Sequence, residues 1–246
     1  MFSYNEYKSI VEKVTNELPL SDSLSVYNGL DDFVFIRHDV EYSVERAYDL
    51  AKFESEELYI NTAYLFQLRN NSYNILSSKN IQLVREMRDM GHEIGLHVHL
   101  GGLKNVDDIE DYVLDDISTL EKYFDFDVDI FSFHRPSQES LRRNVDIEDK
   151  INLYGDKFFH YYKIRRPKNV NVMYLPDSNH HWRFGHPLDL DLKKHKRIQI
   201  NCHPFSWTPQ GHDNLNNFKT LIDEKNIETI YSVNDETKTF PKELLP

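Results

Sequence analysis

The sequence predicts an α/β fold, a distorted (β/α) barrel of about seven strands with an N-terminal helical extension. Three observations predict it. Strand-like and helix-like segments alternate repeatedly, which calls for a mostly parallel sheet joined by right-handed crossovers. The strand candidates number about seven, which favours a closed or distorted barrel over a small doubly wound sheet. No linker, repeat or low-complexity stretch divides the 246 residues, and single α/β barrels reach that length. One domain over 1–246 is expected, with 1–20 as the helical extension and about 32–207 as the core.

The elements follow in order. In the first 18 or so residues, Phe2, Tyr7, Ile10, Val11, Val14 and Leu18 lean to one side at helical spacing, and Pro19 closes the helix. DDFVFIRHDV is the first clear strand, and VERAYDLAKFESEEL follows as a helix with Ser43 as its N-cap. TAYLF reads as a strand, and SKNIQLVREMRDMG as a helix stopped by Gly91. VDDIEDYVLDDISTLEKYF is a long acidic amphipathic helix, and VDIFSFH is a strand ending at Arg135-Pro136. INLYG, NVMYLPD and RIQINCH read as shorter strands. A last helix, roughly Leu215 to Glu224, precedes a short strand at ETIYS.

The third strand, in GHEIGLHVHLGG, carries the most information. Alternation puts Ile94, Leu96, Val98 and Leu100 on one face. Glu93, His97 and His99 share the other, with Gly95 leaving space between them. The same rule sends Ile198, Ile200 and Cys202 to the core and Gln199, Asn201 and His203 to the polar face.

Composition narrows the function classes. Hydrophobic residues make up 39% and aromatics 13%, enough for a core. The net charge of -12 lacks the basic stripe of a nucleic-acid binder, and Lys193-Lys194-His195-Lys196-Arg197 reads as a solvated turn before a strand. No apolar run is long enough to span a bilayer. The N-terminus lacks a signal-peptide core, and the single cysteine, Cys202, rules out an intrachain disulfide. A cytoplasmic protein is expected.

Chemistry-bearing residues gather at strand C-termini. Asp39 and Glu41 end the first strand, His97 and His99 the third, and His134 and Arg135 the next. Asp177 and Ser178 follow Leu175-Pro176, and His203 ends RIQINC. Active sites of α/β barrels form at that rim. An Asp with several His from different strands is a ligand set suited to zinc or a similar divalent ion.

In order and spacing these residues resemble the NodB-like polysaccharide deacetylases, carbohydrate esterase family 4, over roughly Asp32 to Trp207. IRHDVE stands at the family's Asp-Asp motif, GHEIGLHVH at its metal-binding histidine motif, and FHRPS at the strand end with an active-site Arg. LPDSNHHWR looks like the segment beside the acetyl pocket, and INCHP like the strand with the late histidine. Together the motifs look like a divergent cytoplasmic-type subgroup.

The resemblance implies metal-assisted removal of an N-acetyl group from an intracellular sugar or glycan precursor. Asp39, His97 and His99 would bind the metal, most readily zinc, with His134 as an additional candidate. Arg135 would charge-pair with the catalytic carboxylate, and His203 would protonate the leaving amine. Asp177, Ser178, Trp182 and Arg183 would contact substrate. Two departures stand out. The family's Asp-Asp is His38-Asp39 here, and its second metal histidine falls on Gly101, with His99 the nearest substitute. In the family's register His38 would be the base. Alternation favours Glu41, which shares a face with Asp39 while His38 points away. A hydrolase of cyclic amides or ureides, and a catalytically silent carbohydrate-binding protein, are the alternatives.

Overall fold

The structure is a computed structural model and describes residues 1–159 and 172–246. It opens with α1 (Tyr4–Glu17), capped by the Ser3 hydroxyl, and the short α2 (Ser23–Tyr27). β1 (Phe33–Val40) leads into α3 (Val44–Phe53), whose Ser43 cap is present and whose end widens into a π turn, Glu54–Leu58. There follow β2 (Ala63–Phe66), α4 (Ser78–Asp89), β3 (Glu93–His99), α5 (Ile109–Phe124), β4 (Ile130–His134) and α6 (Gln138–Arg143). The chain ends with β5 (Ile151–Asn152), β6 (Met173–Pro176), β7 (Arg197–Cys202) and α7 (Asn214–Glu236).

The seven strands form one parallel sheet in the order β5-β4-β3-β2-β1-β7-β6. The sheet curls on itself. Gln199 of β7 donates to the carbonyls of Leu153 and Phe158, just beyond β5, although four strands separate β7 from β5. This is the distorted (β/α) barrel that the sequence predicts.

Both faces of every inner strand are covered, so alternation sorts residues between two interiors. Outward-facing Val34, Ile36, Ile198, Ile200 and Cys202 pack with Tyr7, Ile10, Val11 and Val14 of α1. Leu96, Val98, Phe131 and Phe133 pack under α4 and α5. The barrel interior begins apolar at the strand N-termini, with Phe33, Phe35, Ala63, Leu65, Ile130 and Phe158. Gly95 belongs there for space: a Cβ would lie 2.5 Å from Ile130 Cγ1 and 2.8 Å from Ile130 O.

Two segments differ from the expectation. INLYG pairs over only two residues before turning. ETIYS is not a strand; it lies within α7, which runs unbroken to Glu236. Its Ile and Tyr suit a pleated surface, but no Gly or Pro interrupts the helix after Glu224, so the local i→i−4 hydrogen bonds continue. Of the segment NVMYLPD, Asn171 lies outside the described residues. Lys193, Lys194 and Lys196 are exposed and paired with Glu17, Asp191 and Asp32, as a solvated turn should be. Among the described residues no helix is long and apolar enough to cross a membrane.

Candidate active site

Along β1 the inward positions change from apolar to charged: Phe33, Phe35, Arg37, Asp39, and then Glu41 just past the strand. Arg37 is fully buried. Its guanidinium lies 3.3 Å from Asp39 Oδ2 and 4.4 Å from the centre of the Tyr154 ring. Asp39 Oδ2 also accepts from Asn201 Nδ2 at 2.9 Å, and Oδ1 accepts from Ser132 Oγ at 3.4 Å. Burial, the largest single cause, would raise the Asp39 pKa, but Arg37, His97 and His203 together outweigh it, and the carboxyl is held below its usual range.

Ser132 also fixes His97. Its hydroxyl proton points to Asp39, so its oxygen accepts from His97 Nδ1–H at 2.7 Å. That hydrogen bond leaves the lone pair on Nε2. His97 Nε2 is buried, without a hydrogen-bond partner among the described residues, and 3.6 Å from Glu41 Oε1. His134 Nδ1 lies 2.7 Å from the same oxygen. One ligand atom from each of Glu41, His97 and His134 lies within 4.8 Å of the other two. Bonds of ~2.0–2.1 Å at tetrahedral angles place ligand atoms about 3.3 Å apart, so the set fits a divalent ion such as zinc. The orphaned imidazole nitrogen is what such an ion would satisfy, and the Ser132–Asp39 relay is the outer support that metal-binding histidines have.

His203 approaches from β7. Its Nδ1 is 2.5 Å from Asp177 Oδ1, and its backbone N–H donates to Asp177 Oδ2 at 3.1 Å. Trp207 Nε1–H donates to that second oxygen at 2.8 Å. Nε2 is left facing the rim, 3.9 Å from Glu41 Oε1. Burial opposes the imidazolium, but Asp177 overcomes it, with Glu41 and Asp39 adding, and the pKa is pushed up to about 9.

The rim opens into two clefts that share Glu41, Tyr42 and Arg135. One, of about 220 Å³, has Asn179, His203, Phe205 and Phe218. The other, of about 170 Å³, has Gln67, Asn71, Ser72, His99 and His134. Larger hollows of about 470 Å³ near Glu93 and about 890 Å³ between α3 and α7 hold none of the strand-end residues.

The structure thus brings Glu41, His97, His134, His203 and Arg135 together. His99 joins at the edge, its ring 5.2 Å from that of His134, but its Nδ1 accepts from Gly101 N–H and it is outside the three-residue set. Asp39 is a correction to the expected ligand set. Its Oδ2 meets Arg37 and Asn201 and its Oδ1 meets Ser132, 3.6 Å from His97 Nδ1, while the three-residue set takes Glu41, two residues further on. His38 faces the opposite side, fully buried against Glu54. Arg37 pairs with Asp39; Arg135, expected to pair with the catalytic carboxylate, is exposed, with a left-handed φ of 48° and no carboxylate within 4 Å among the described residues. Asp177 is fully buried behind His203, so it supports that ring instead of touching substrate. Trp182 packs near Trp207 and His186 in the outer core. Ser178 and Arg183 line a separate cleft of about 150 Å³ with Tyr174 and Phe184. Arg37, Ser132, Asn201 and Gln67 were not among the expected site residues. Alternation offered a signal for three of them, since they share parity with Asp39, His134 and His203.

No family model matches the chain, and no curated protein does. Among solved structures it is similar to the chitin deacetylase of the fungal pathogen Colletotrichum lindemuthianum, with TM-score 0.45 and 15% identity over 80% of this chain and 84% of that one. It is also similar to a family 4 acetyl xylan esterase from Clostridium thermocellum in complex with a cobalt ion, with TM-score 0.40 and 13% identity over 78% and 82%. A third is a carbohydrate esterase family 4 pseudoenzyme from Bacillus anthracis, with TM-score 0.43 and 11% identity over 80% and 61%. The second and third carry the name of the family that the motifs resemble.

Proposed function

We propose that the chain is a metal-dependent hydrolase that removes an N-acetyl group from an amino sugar or glycan precursor inside the cell. The observation that carries this is the Glu41–His97–His134 set, with His203 Nε2 3.9 Å from the Glu41 oxygen. A divalent ion held there, most readily zinc, would supply a Lewis acid for the acyl carbonyl and lower the pKa of a water.

The chain's own groups do the rest. Ser132 and Asp39 hold His97 in the tautomer that leaves Nε2 free. Asp177 holds the His203 ring and keeps it protonated at neutral pH, so His203 is a donor for the departing amine. Arg135 stands between the two clefts, placed to pair with polar groups of a substrate lying across both. Tyr42, Phe205 and Phe218 form an aromatic wall beside His203, with ring centroids 4.5 to 5.9 Å apart, a surface suited to the C–H face of a sugar.

The test is metal content of the purified chain, followed by the same sample on a panel of N-acetylated sugars. Bound metal with release of acetate supports the reading. Turnover of cyclic amides alone, or sugar binding with neither metal nor turnover, would replace it.

A further inference from the structure

The cleft beside His99 carries a chemistry that the metal set does not use. Its floor is a relay of amides. Ser72 N–H donates to Asn70 Oδ1 at 2.6 Å, which fixes the orientation of the Asn70 amide. Asn70 Nδ2 then donates to the Glu41 carbonyl at 2.9 Å and to Gln67 Oε1 at 2.9 Å. Gln67 is 2% exposed, and with its oxygen occupied its Nε2 is left as a buried donor with no partner among the described residues. An unpaired buried N–H₂ is costly, so such groups ordinarily have a partner to meet.

Two more donors line the same cleft. His99 Nδ1 accepts from Gly101 N–H at 3.2 Å, which puts the ring proton on Nε2. Arg135 lines the cleft, with no carboxylate within 4 Å among the described residues, and its left-handed backbone before Pro136 is strained. The one carboxylate there, Glu41, has Oε1 turned to His134 at 2.7 Å.

We infer that this cleft is a subsite for an anionic oxygen group, a carboxylate or a phosphate, on the part of the substrate next to the acylated unit. Three donors, Gln67 Nε2, His99 Nε2 and Arg135, line this one cleft, which suits a ligand that only accepts; Arg adds the charge and the fork geometry that such anions pair with. A bare hydroxyl would fill one donor and leave the others unmet. The inference rests on the sugar-deacylase reading and narrows its substrate to acidic sugars.

The experiment is titration calorimetry of the full chain with glucuronate, glucose 6-phosphate and glucose, each with and without a chelator. At least one anion should bind ten-fold or more tighter than glucose, and the better one names the source as carboxylate or phosphate. Gln67→Glu should erase the preference, and so should Arg135→Ala, which alters an exposed residue and leaves the core intact. Equal binding of all three sugars would overturn the inference. So would a preference that vanishes with the chelator, which would put the anion on the ion. Preference without hydrolysis of any N-acyl sugar would uphold the subsite and remove the catalytic reading.

Discussion

Two clusters of carboxylate and imidazole lie on opposite faces of the same strand. On the outer face, under α1 and α3, Glu54 Oε1 accepts from the Tyr7 hydroxyl and from His38 Nε2 at 3.0 Å. Glu54 Oε2 accepts from the Thr62 and Tyr64 hydroxyls, each at 2.7 Å. His38 stacks on Tyr64 with ring centroids 4.3 Å apart, and His92 stands 3.8 Å from the carboxylate. Glu54 and His38 are both fully buried. At the inner rim, Glu41 keeps 15% of its side chain exposed, and His97 Nε2 has no partner among the described residues. The residue types are nearly the same. Each cluster holds an imidazole nitrogen without a partner among the described residues, His38 Nδ1 outside and His97 Nε2 inside; the difference is that the outer cluster is sealed from solvent, while the inner set stands beside two clefts. Composition does not mark the site; unmet bonding capacity with access does.

Changes at the two clusters should therefore separate function from stability. The largest expected effect is at the rim: His203→Ala should slow turnover by ~10²–10⁴-fold, the usual worth of positioned proton transfer, with metal content unchanged. Steady-state kinetics with elemental analysis checks both halves. In the sealed cluster, Glu54→Gln should lower unfolding free energy by ~3–5 kcal/mol, the cost of removing one partner of a buried pair, measured by denaturant unfolding.

The sealed cluster also sets an acid limit. Burial would raise the Glu54 pKa, but His38 overrides it, and it falls from 4.5 to about 2. A depressed carboxyl stabilises the fold fully above its unfolded value and loses that contribution as pH falls. Stability should thus decline between pH 4.5 and about 2 in the native chain. Glu54→Gln should flatten that part of the curve; an unchanged slope would detach acid unfolding from this cluster.

Much of this was legible in the sequence. The parallel barrel followed from alternating elements, and the rim from strand ends rich in Asp, Glu, His and Arg. Alternation also separated His38 from Asp39 and Glu41. Reach was not legible. Asp39 and Glu41 share a face, but only the structure shows that Arg37, Asn201 and Ser132 enclose the first while the longer side chain past the strand end meets two imidazoles. Asp177 carried the right chemistry for substrate contact, yet its two oxygens are spent on His203 and Trp207. Strand parity gives direction; it does not say which neighbour from another strand arrives first.

Smaller effects sharpen the contrast. Ser132→Ala removes the partner that orients His97 and should weaken metal binding by roughly 10–100-fold, read by competition with a chelating dye. His38→Gln should change stability while leaving turnover per folded molecule near the native value. A large loss of turnover with stability unchanged would put His38 back in the catalytic chemistry.

Metal stoichiometry in Glu41→Gln, compared with the native chain and with His99→Ala, tests the central claim most directly. If Glu41, His97 and His134 form the metal set, the native chain carries one divalent ion, Glu41→Gln loses most of it, and His99→Ala keeps it. Full metal retention in Glu41→Gln with loss in His99→Ala would contradict the account and return Glu41 to the role of base that strand alternation alone assigned.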